Sequence, residues 1–334
     1  MNKKPIIIIA GEPYSIFFEI LFKVYKSNFL NKFKFPLIVI GSEQIIKKQM
    51  KKMGYNLIIN IIKEKEILSS KKYKNKINLI DVDFKEKKTF DKISSKSNNY
   101  IKNCFSIGLN LMKKKIGLGI INGPISKKYF LNKKFNGITE FISSKTGSKD
   151  KEVMLIYNKN LSVVPITTHI PLKNVSKAIT TKKIIYKIQT INKFYKKNFK
   201  KFPRFAVTGL NPHCETTSKL SEEKSIIIPA IRKLKKKKIN VLGPISADTS
   251  FLKNNLKKID IIIGMYHDQV LTPIKALHEF DAINVTLGLK YIRVSPDHGV
   301  ALELIKKNKA NAQSLLECIN FVNKFGKWNF SKNH

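Results

Sequence analysis

Three histidines in this chain occupy equivalent places, and imidazoles gathered at one edge of a sheet can hold a metal ion. "LSVVPITTHIPL" delivers His169, "FAVTGLNPHCE" delivers His213 and "IDIIIGMYHDQ" delivers His267. Each lies at or just beyond the C-terminal end of an apolar run. In open α/β sheets that edge binds ligands, because the loops leaving the strands splay apart there. Three imidazoles leave coordination positions for water or substrate, which is the arrangement of a catalytic rather than a structural site. The set suits Zn²⁺, with Co²⁺, Mn²⁺ or Mg²⁺ as alternatives, and Cys214 is the thiol that could join it. Asp268 and Asp248 are candidates to hold an imidazole N–H or a metal-bound water from behind. The spacing leaves open whether all three histidines come from one subunit.

Lys275, Asn284 and Arg293 follow His267 in order. Arg293 stands out because the chain has only two other arginines, Arg204 and Arg232, among 64 lysines and arginines. A guanidinium can grip a carboxylate or phosphate with two parallel bonds where an ammonium cannot. No G-x-G-x-x-G follows any apolar run, so the usual dinucleotide fingerprint is missing. "INGPISKKYF" reads as a strand-loop-helix junction able to hold an anion on backbone amides. "SPDHGVALEL" places Asp297, His298 and Gly299 before a helix start, where they could approach a nucleotide.

The elements that must position these residues are legible as short isoleucine-rich runs. They are Pro5 to Ala10, Leu37 to Ile40, Ile116 to Ile121, Leu161 to Thr167, Phe205 to Leu210 and Ile259 to Met265. Lysine-rich segments with helical spacing separate most of them, which predicts α/β architecture with a largely parallel sheet. Ser221 to Lys237 reads as a helix with Ser221 as N-cap and two glutamates in its first turn. Asn311 to Phe325 reads as a C-terminal helix, and Lys85 to Asn99 as a loop or short exposed helix. His267 is expected to close a strand, with Lys275 a short loop away beyond Pro273.

Composition narrows the function classes. The chain has 334 residues, 43% of them hydrophobic, enough for a substantial core. Its formal charge of +41 first suggests nucleic acid, but the basic runs are short and scattered: Lys71-Lys72, Lys113 to Lys115, Lys235 to Lys238, Lys306-Lys307. No zinc-finger or RNP-like motif accompanies them, so no nucleic-acid partner is expected. Cys104, Cys214 and Cys318 are far apart and form no C-x-x-C pair, as expected in a reducing compartment. The apolar stretch Ile6 to Ala10 is too short for a signal peptide, and no run reaches membrane-spanning length. A cytoplasmic protein with no membrane partner is expected.

In combination the motifs resemble the 4-hydroxythreonine-4-phosphate dehydrogenase family of the pyridoxal phosphate pathway. The matching segments are "NGPISK", Gly137 to Phe141, "TTHIPL", "GLNPHCE", "SEEKSIIIPAI", "GPISADTSF", "GMYHDQVLTPIKAL" and "IRVSPDHGVALEL", in family order from about Gly119 to Leu304. The resemblance implies a two-lobed fold like that of isocitrate and isopropylmalate dehydrogenases, with a cleft between the lobes. Residues 1–127 and 282–334 would form the first lobe, on the cofactor side, and 128–281 the second, on the metal and dimer side. It implies a homodimer with the active site at the interface, one divalent ion (Zn, Co or Mg) on His169, His213 and His267, and NAD or NADP near Asp297, His298 and Gly299. Thr139, Lys275, Asn284 and Arg293 match the family's substrate-binding residues. The implied reaction oxidises the secondary hydroxyl of 4-phosphohydroxy-L-threonine to a β-keto acid, which decarboxylates to an aminoketone phosphate. Lys275, Asp248 or Asp268 would take the hydroxyl proton. A dehydrogenase for a related phosphorylated threonate or erythronate, or a non-catalytic metabolite-binding relative, is the alternative.

This chain departs from the family pattern at several points. The usual G-D-P-x-G-I-G-P-E reads "GEPYSIFFE" from Gly11 to Glu19, so permissive glycines become Ser15 and Phe17. The family's histidine before Thr139 is Ile138, which cannot donate a hydrogen bond. R-T-S-x-D-H-G-T-A reads "RVSPDHGVA", the small pair that follows is Ile305-Lys306, and N-P-H-A-G-E has shortened to "NPHCE". Val270 stands where the family usually has glycine.

Overall fold

Ile6–Ile9 is four consecutive β-branched residues with no exposed face, a composition that suits a strand covered on both sides, and it forms one. The computed structural model describes residues 4–33, 35–69, 76–132, 134–135, 137–214, 221–279 and 281–326. In chain order its strands are β1 (Ile6–Ile9), β2 (Leu37–Gly41), β3 (Ile58–Ile61), β4 (Lys76–Asp81), β5 (Gly119–Asn122), β6 (Val153–Tyr157), β7 (Ser162–Pro165), β8 (Phe205–Thr208), β9 (Val241–Ile245), β10 (Ile261–Gly264), β11 (Ile283–Leu287) and β12 (Arg293–Pro296). The helices are α1 (Phe17–Lys26), α2 (Glu43–Lys52), α3 (Asn98–Lys113), α4 (Ile138–Lys145), α5 (Val175–Ala178), α6 (Thr181–Phe199), α7 (Ile228–Lys236), α8 (Lys253–Leu256), α9 (His267–His278) and α10 (Gln313–Phe325).

The chain divides into two units, Met1–Asp150 with Leu289–His334, and Lys151–Gly288. These boundaries fall at 150 and 288, where the resemblance had suggested 127 and 281, so Thr139 shares a unit with Arg293. In the first unit the strands run β3-β4-β2-β1-β5-β12, and every pair is parallel. In the second the order is β11-β6-β7-β10-β8-β9. There β6 is antiparallel to both neighbours, while β7, β10, β8 and β9 are mutually parallel.

All six anticipated apolar runs are strands, and the two anticipated helices are present. The Ser221 hydroxyl accepts from the Lys224 N–H, a wide π turn covers Glu223–Ile227, and α7 continues from it. The lysine runs at 113–115 and 235–238 close α3 and α7, where positive charge complements the helix dipole. Lys71-Lys72 lies outside the described residues. Among the described residues no helix is long and apolar enough to cross a membrane.

The expectation for the segment after β10 is corrected, and His267 opens a helix rather than closing the strand. Lys275 does not follow a loop: α9 runs unbroken from His267 to His278 with Pro273 inside it. A proline in a helix costs about 3 kcal/mol. Val270, Leu271 and Ile274 on the same helix are buried in one cluster with Val163 and Ile262. Three such side chains contribute roughly 1.5–3 kcal/mol each, so packing outweighs the break.

Candidate active site

The four parallel strands of the second unit each deliver a polar group at their C-terminal ends. His169 follows β7, His267 opens α9 directly after β10, His213 lies in the turn Pro212–Cys214 after β8, and Asp248 follows β9. Because β10 lies between β7 and β8, His267 stands between the endings that carry the other two histidines.

The His169 and His267 rings are 5.6 Å apart, centroid to centroid, and tilted by 42°. With metal–nitrogen bonds of about 2.1 Å, two imidazoles on one tetrahedral ion would have centroids roughly 5–6 Å apart. The pair therefore fits a shared ion. Asp268 Oδ1 lies 2.7 Å from His267 Nδ1. A carboxylate there accepts a hydrogen bond from Nδ1–H and leaves Nε2 as the nitrogen with a free lone pair, the usual support of a metal-bound histidine.

His213 is placed differently. Its Nδ1 is 3.5 Å from Ser246 Oγ and 3.9 Å from Asp248 Oδ2, and its side chain is 75% exposed. A hydrogen bond between Ser246 and Asp248 holds the Asp248 carboxyl below its ordinary range. Among the described residues no three His, Cys, Asp or Glu side chains form a metal-binding group. The structure thus brings two of the three expected ligands together and sets the third at the neighbouring strand end.

Lys275 is exposed on α9, eight residues beyond His267 and therefore about 12 Å along the helix axis. Asn284 lies on β11 opposite Ile156. Its Oδ1 is buried and accepts no hydrogen bond from the described residues. Leaving an acceptor unmade costs about 1–3 kcal/mol, which a ligand's donor would recover.

Arg293 and Thr139 meet within the first unit. Arg293 is wholly buried; its Nε donates to Asn122 Oδ1 at 2.7 Å and its Nη1 to Thr139 Oγ1 at 3.2 Å. Burial lowers its pKa to about 10, against the opposing charge of Glu140. Asn122 closes β5 and was not anticipated; the signal was an asparagine ending an otherwise apolar strand.

The loop after β12 carries Asp297, His298 and Gly299. The Asp297 N–H donates to Ser314 Oγ at 3.0 Å, and His298 Nδ1 lies 2.9 Å from the Gly299 carbonyl. Gly299 is exposed, and no atom lies within 4 Å of where a Cβ would stand, so its backbone is open to a ligand. Val300 accepts a bond from the Ile16 N–H, joining this loop to residues 11–16.

That second loop shows what replaced the family's glycines. Gly11 keeps a positive φ of 75°, and a Cβ there would lie 2.4 Å from the Pro124 carbonyl oxygen. Ser15 donates its hydroxyl to the Glu12 carbonyl and accepts from the Phe17 N–H, while Phe17 is fully buried. Side-chain bonds and packing now hold a turn that flexible backbone would otherwise supply. Glu12, 1% exposed, receives the Ser97 hydroxyl and the Tyr14 N–H. Burial outweighs both bonds and lifts its carboxyl to about 7. Glu12 stands where the family's G-D-P motif has aspartate, but sequence reasoning did not single it out.

Two α/β units, one with an all-parallel run of strands and one with a mostly parallel one, define a fold that is shared among solved structures. A β-decarboxylating dehydrogenase from Thermococcus kodakarensis shares it, with a TM-score of 0.51 at 10% identity over 97% of this chain and 85% of that one. The chain belongs to the family described as pyridoxal phosphate biosynthetic protein PdxA, whose model matches residues 33–322. It is 37% identical to the 4-hydroxythreonine-4-phosphate dehydrogenase of Sulfurihydrogenibium sp., covering 93% of this chain and 95% of that protein. It is 29% identical to the D-threonate 4-phosphate dehydrogenase of Salmonella typhimurium, covering 94% and 97%. The crystal structure of 4-hydroxythreonine-4-phosphate dehydrogenase from Klebsiella pneumoniae matches with a TM-score of 0.82 at 26% identity, covering 97% of this chain and all of that one.

Proposed function

We propose that this chain is a cytoplasmic, metal-dependent, NAD- or NADP-linked oxidoreductase of vitamin B6 biosynthesis, acting on 4-phosphohydroxy-L-threonine. The product, 2-amino-3-oxo-4-phosphohydroxybutanoate, decarboxylates to 3-amino-2-oxopropyl phosphate. The observation that carries this reading is the His169–His267 pair at 5.6 Å with Asp268 behind His267, in a chain of this family.

A divalent ion bound here would supply Lewis acidity toward the substrate hydroxyl, and a nicotinamide cofactor would supply the hydride acceptor. His169, His213 and His267 would hold the ion, with Asp268 fixing the His267 tautomer. Asp297, His298 and Gly299 would face the nicotinamide cofactor. Arg293, Thr139, Lys275 and Asn284 bind the substrate; a guanidinium in a low-dielectric site attracts an anion more strongly than in water. The hydroxyl proton passes to Lys275, Asp248 or Asp268, of which Asp268 already serves His267. A homodimer with the site at its interface would bring partner residues to the exposed His213. Purified protein supplied with Co²⁺ and NAD or NADP should reduce the cofactor on 4-phosphohydroxy-L-threonine; no reduction with any divalent ion would overturn the reading.

The similarity to D-threonate 4-phosphate dehydrogenase, with Ile138 beside Thr139, favours a second reading in which the substrate lacks the amino group. A higher kcat/KM on D-threonate 4-phosphate than on the amino acid would select it.

A further inference from the structure

Two side chains outside the expected site control the strand endings that carry His213 and His267. From α9, Gln269 Oε1 accepts the Met265 N–H at 2.6 Å and the Thr208 hydroxyl at 2.9 Å, while its Nε2 donates to the Gly209 carbonyl at 2.8 Å. It therefore ties the end of β8 to the end of β10. From the π turn before α7, Glu223 Oε1 accepts the N–H groups of Leu210 at 2.8 Å and Asn211 at 2.9 Å, and Oε2 accepts Asn211 Nδ2 at 2.8 Å. Glu223 is 2% exposed, and its bonds with Asn211 and Leu210 keep its carboxyl below the ordinary range despite burial.

In Gly209 to Asn211, the three residues before Pro212-His213, the Gly209 carbonyl and the Leu210 and Asn211 N–H groups are thus met by side chains from two different elements. Both strand endings are shaped to admit those side chains. A Cβ on Gly209 would lie 3.1 Å from Glu223 Oε1 and 2.7 Å from Cys214 Sγ, and one on Gly264 would lie 3.1 Å from Gln269 Oε1 and 2.4 Å from Val270 Cγ1. The turn they support is strained: His213 and Cys214 both have positive φ, 55° and 59°. Such backbone persists only where its surroundings over-determine it.

We infer that Gln269 and Glu223 are positioning residues, which hold the β8 and β10 endings that carry His213 and His267, two of the ligands expected for a divalent cation. The inference rests on the metal reading given above. Neither side chain needs to touch metal or substrate; each acts through the backbone beside a ligand.

The test is Co²⁺ titration of the purified full chain, followed by the visible d–d spectrum, with urea unfolding of the metal-free protein alongside. Wild type should bind Co²⁺ and His267→Ala should lose it. Gln269→Met should weaken binding about 10–100-fold and change the spectrum, as loss of a ligand's support does elsewhere. Gln269→Glu, which keeps the two acceptor bonds, should recover part of that loss. If Gln269→Met does not fold, Thr208→Val and Glu223→Gln carry the same comparison. Wild-type affinity and spectrum in these variants, with only the unfolding midpoint lowered, would overturn the positioning role and leave the metal reading intact. No Co²⁺ binding by wild type, or equal binding by His267→Ala, would overturn the metal reading and this inference with it.

Discussion

Asp268 places Oδ1 2.7 Å from Nδ1 of His267, its immediate neighbour in the chain. Two adjacent residues at a helix start thereby form a carboxylate–imidazole pair with the other ring nitrogen left for a ligand. Asp268→Ala should lower divalent-ion affinity about 10–100-fold, measured by calorimetric titration. Asp268→Asn, which keeps an acceptor oxygen, should lose far less.

Glu12 links stability to pH. Its carboxyl is raised from 4.5 to about 7 by burial, so the folded state binds the proton more tightly than the unfolded chain does. The contribution is complete below the unfolded pKa and is lost as pH rises through the folded one, between about 4.5 and 7. The shift corresponds to roughly 3 kcal/mol at most. Glu12→Gln should remove this dependence, so that the variant is the more stable protein at pH 8 and gains nothing at pH 4. Urea midpoints across that range check it.

The Arg293 cluster separates charge burial from charge support. Asn122→Ala would leave a buried guanidinium short of one bond and should cost about 1.5–3 kcal/mol. Arg293→Met removes the buried charge but leaves Asn122 Oδ1 and Thr139 Oγ1 buried without their donor, so relief of charge burial is offset by about 1–3 kcal/mol for each acceptor left unmade. Activity should fall by about 100-fold or more in Arg293→Met, through loss of the charged substrate contact proposed for it. Unfolding curves and initial rates on the two variants distinguish the effects.

Ile138 opens α4 directly before Thr139. Ile138→His places a donor beside Thr139, which is proposed to bind substrate, and should raise kcat/KM on 4-phosphohydroxy-L-threonine by about 10-fold, the lower end of what a hydrogen bond to a charged group supplies. Steady-state kinetics on both candidate substrates measure it.

What could be read from the chain follows burial only in part, since β4, β6, β11 and β12 are largely buried and yet were not among the anticipated runs. β1, β2, β5, β7, β8 and β10 are apolar runs because both faces are covered, and each was legible. β3 hid because Ile58 and Ile61 are half exposed at a sheet edge, and β9 because Gly243 and Pro244 read as a turn. The strand-end histidines were visible as residues, but their geometry was not: His213 sits in left-handed backbone that no spacing announces. Pro273 suggested a loop because the packing of Val270 and Ile274 that overrides it depends on β7 and β10. The Thr139–Arg293 bond joins residues 154 apart, and only the folded chain shows it.

The central claim is that the strand-end histidines hold the ion required for turnover. Its most direct test is the rate of cofactor reduction on 4-phosphohydroxy-L-threonine by wild type and His267→Ala, each before and after chelation and Co²⁺ reloading. Wild-type activity should vanish on chelation and return with Co²⁺, while His267→Ala stays at least about 100-fold slower throughout. Undiminished turnover by chelated wild type, or by His267→Ala, would contradict the account.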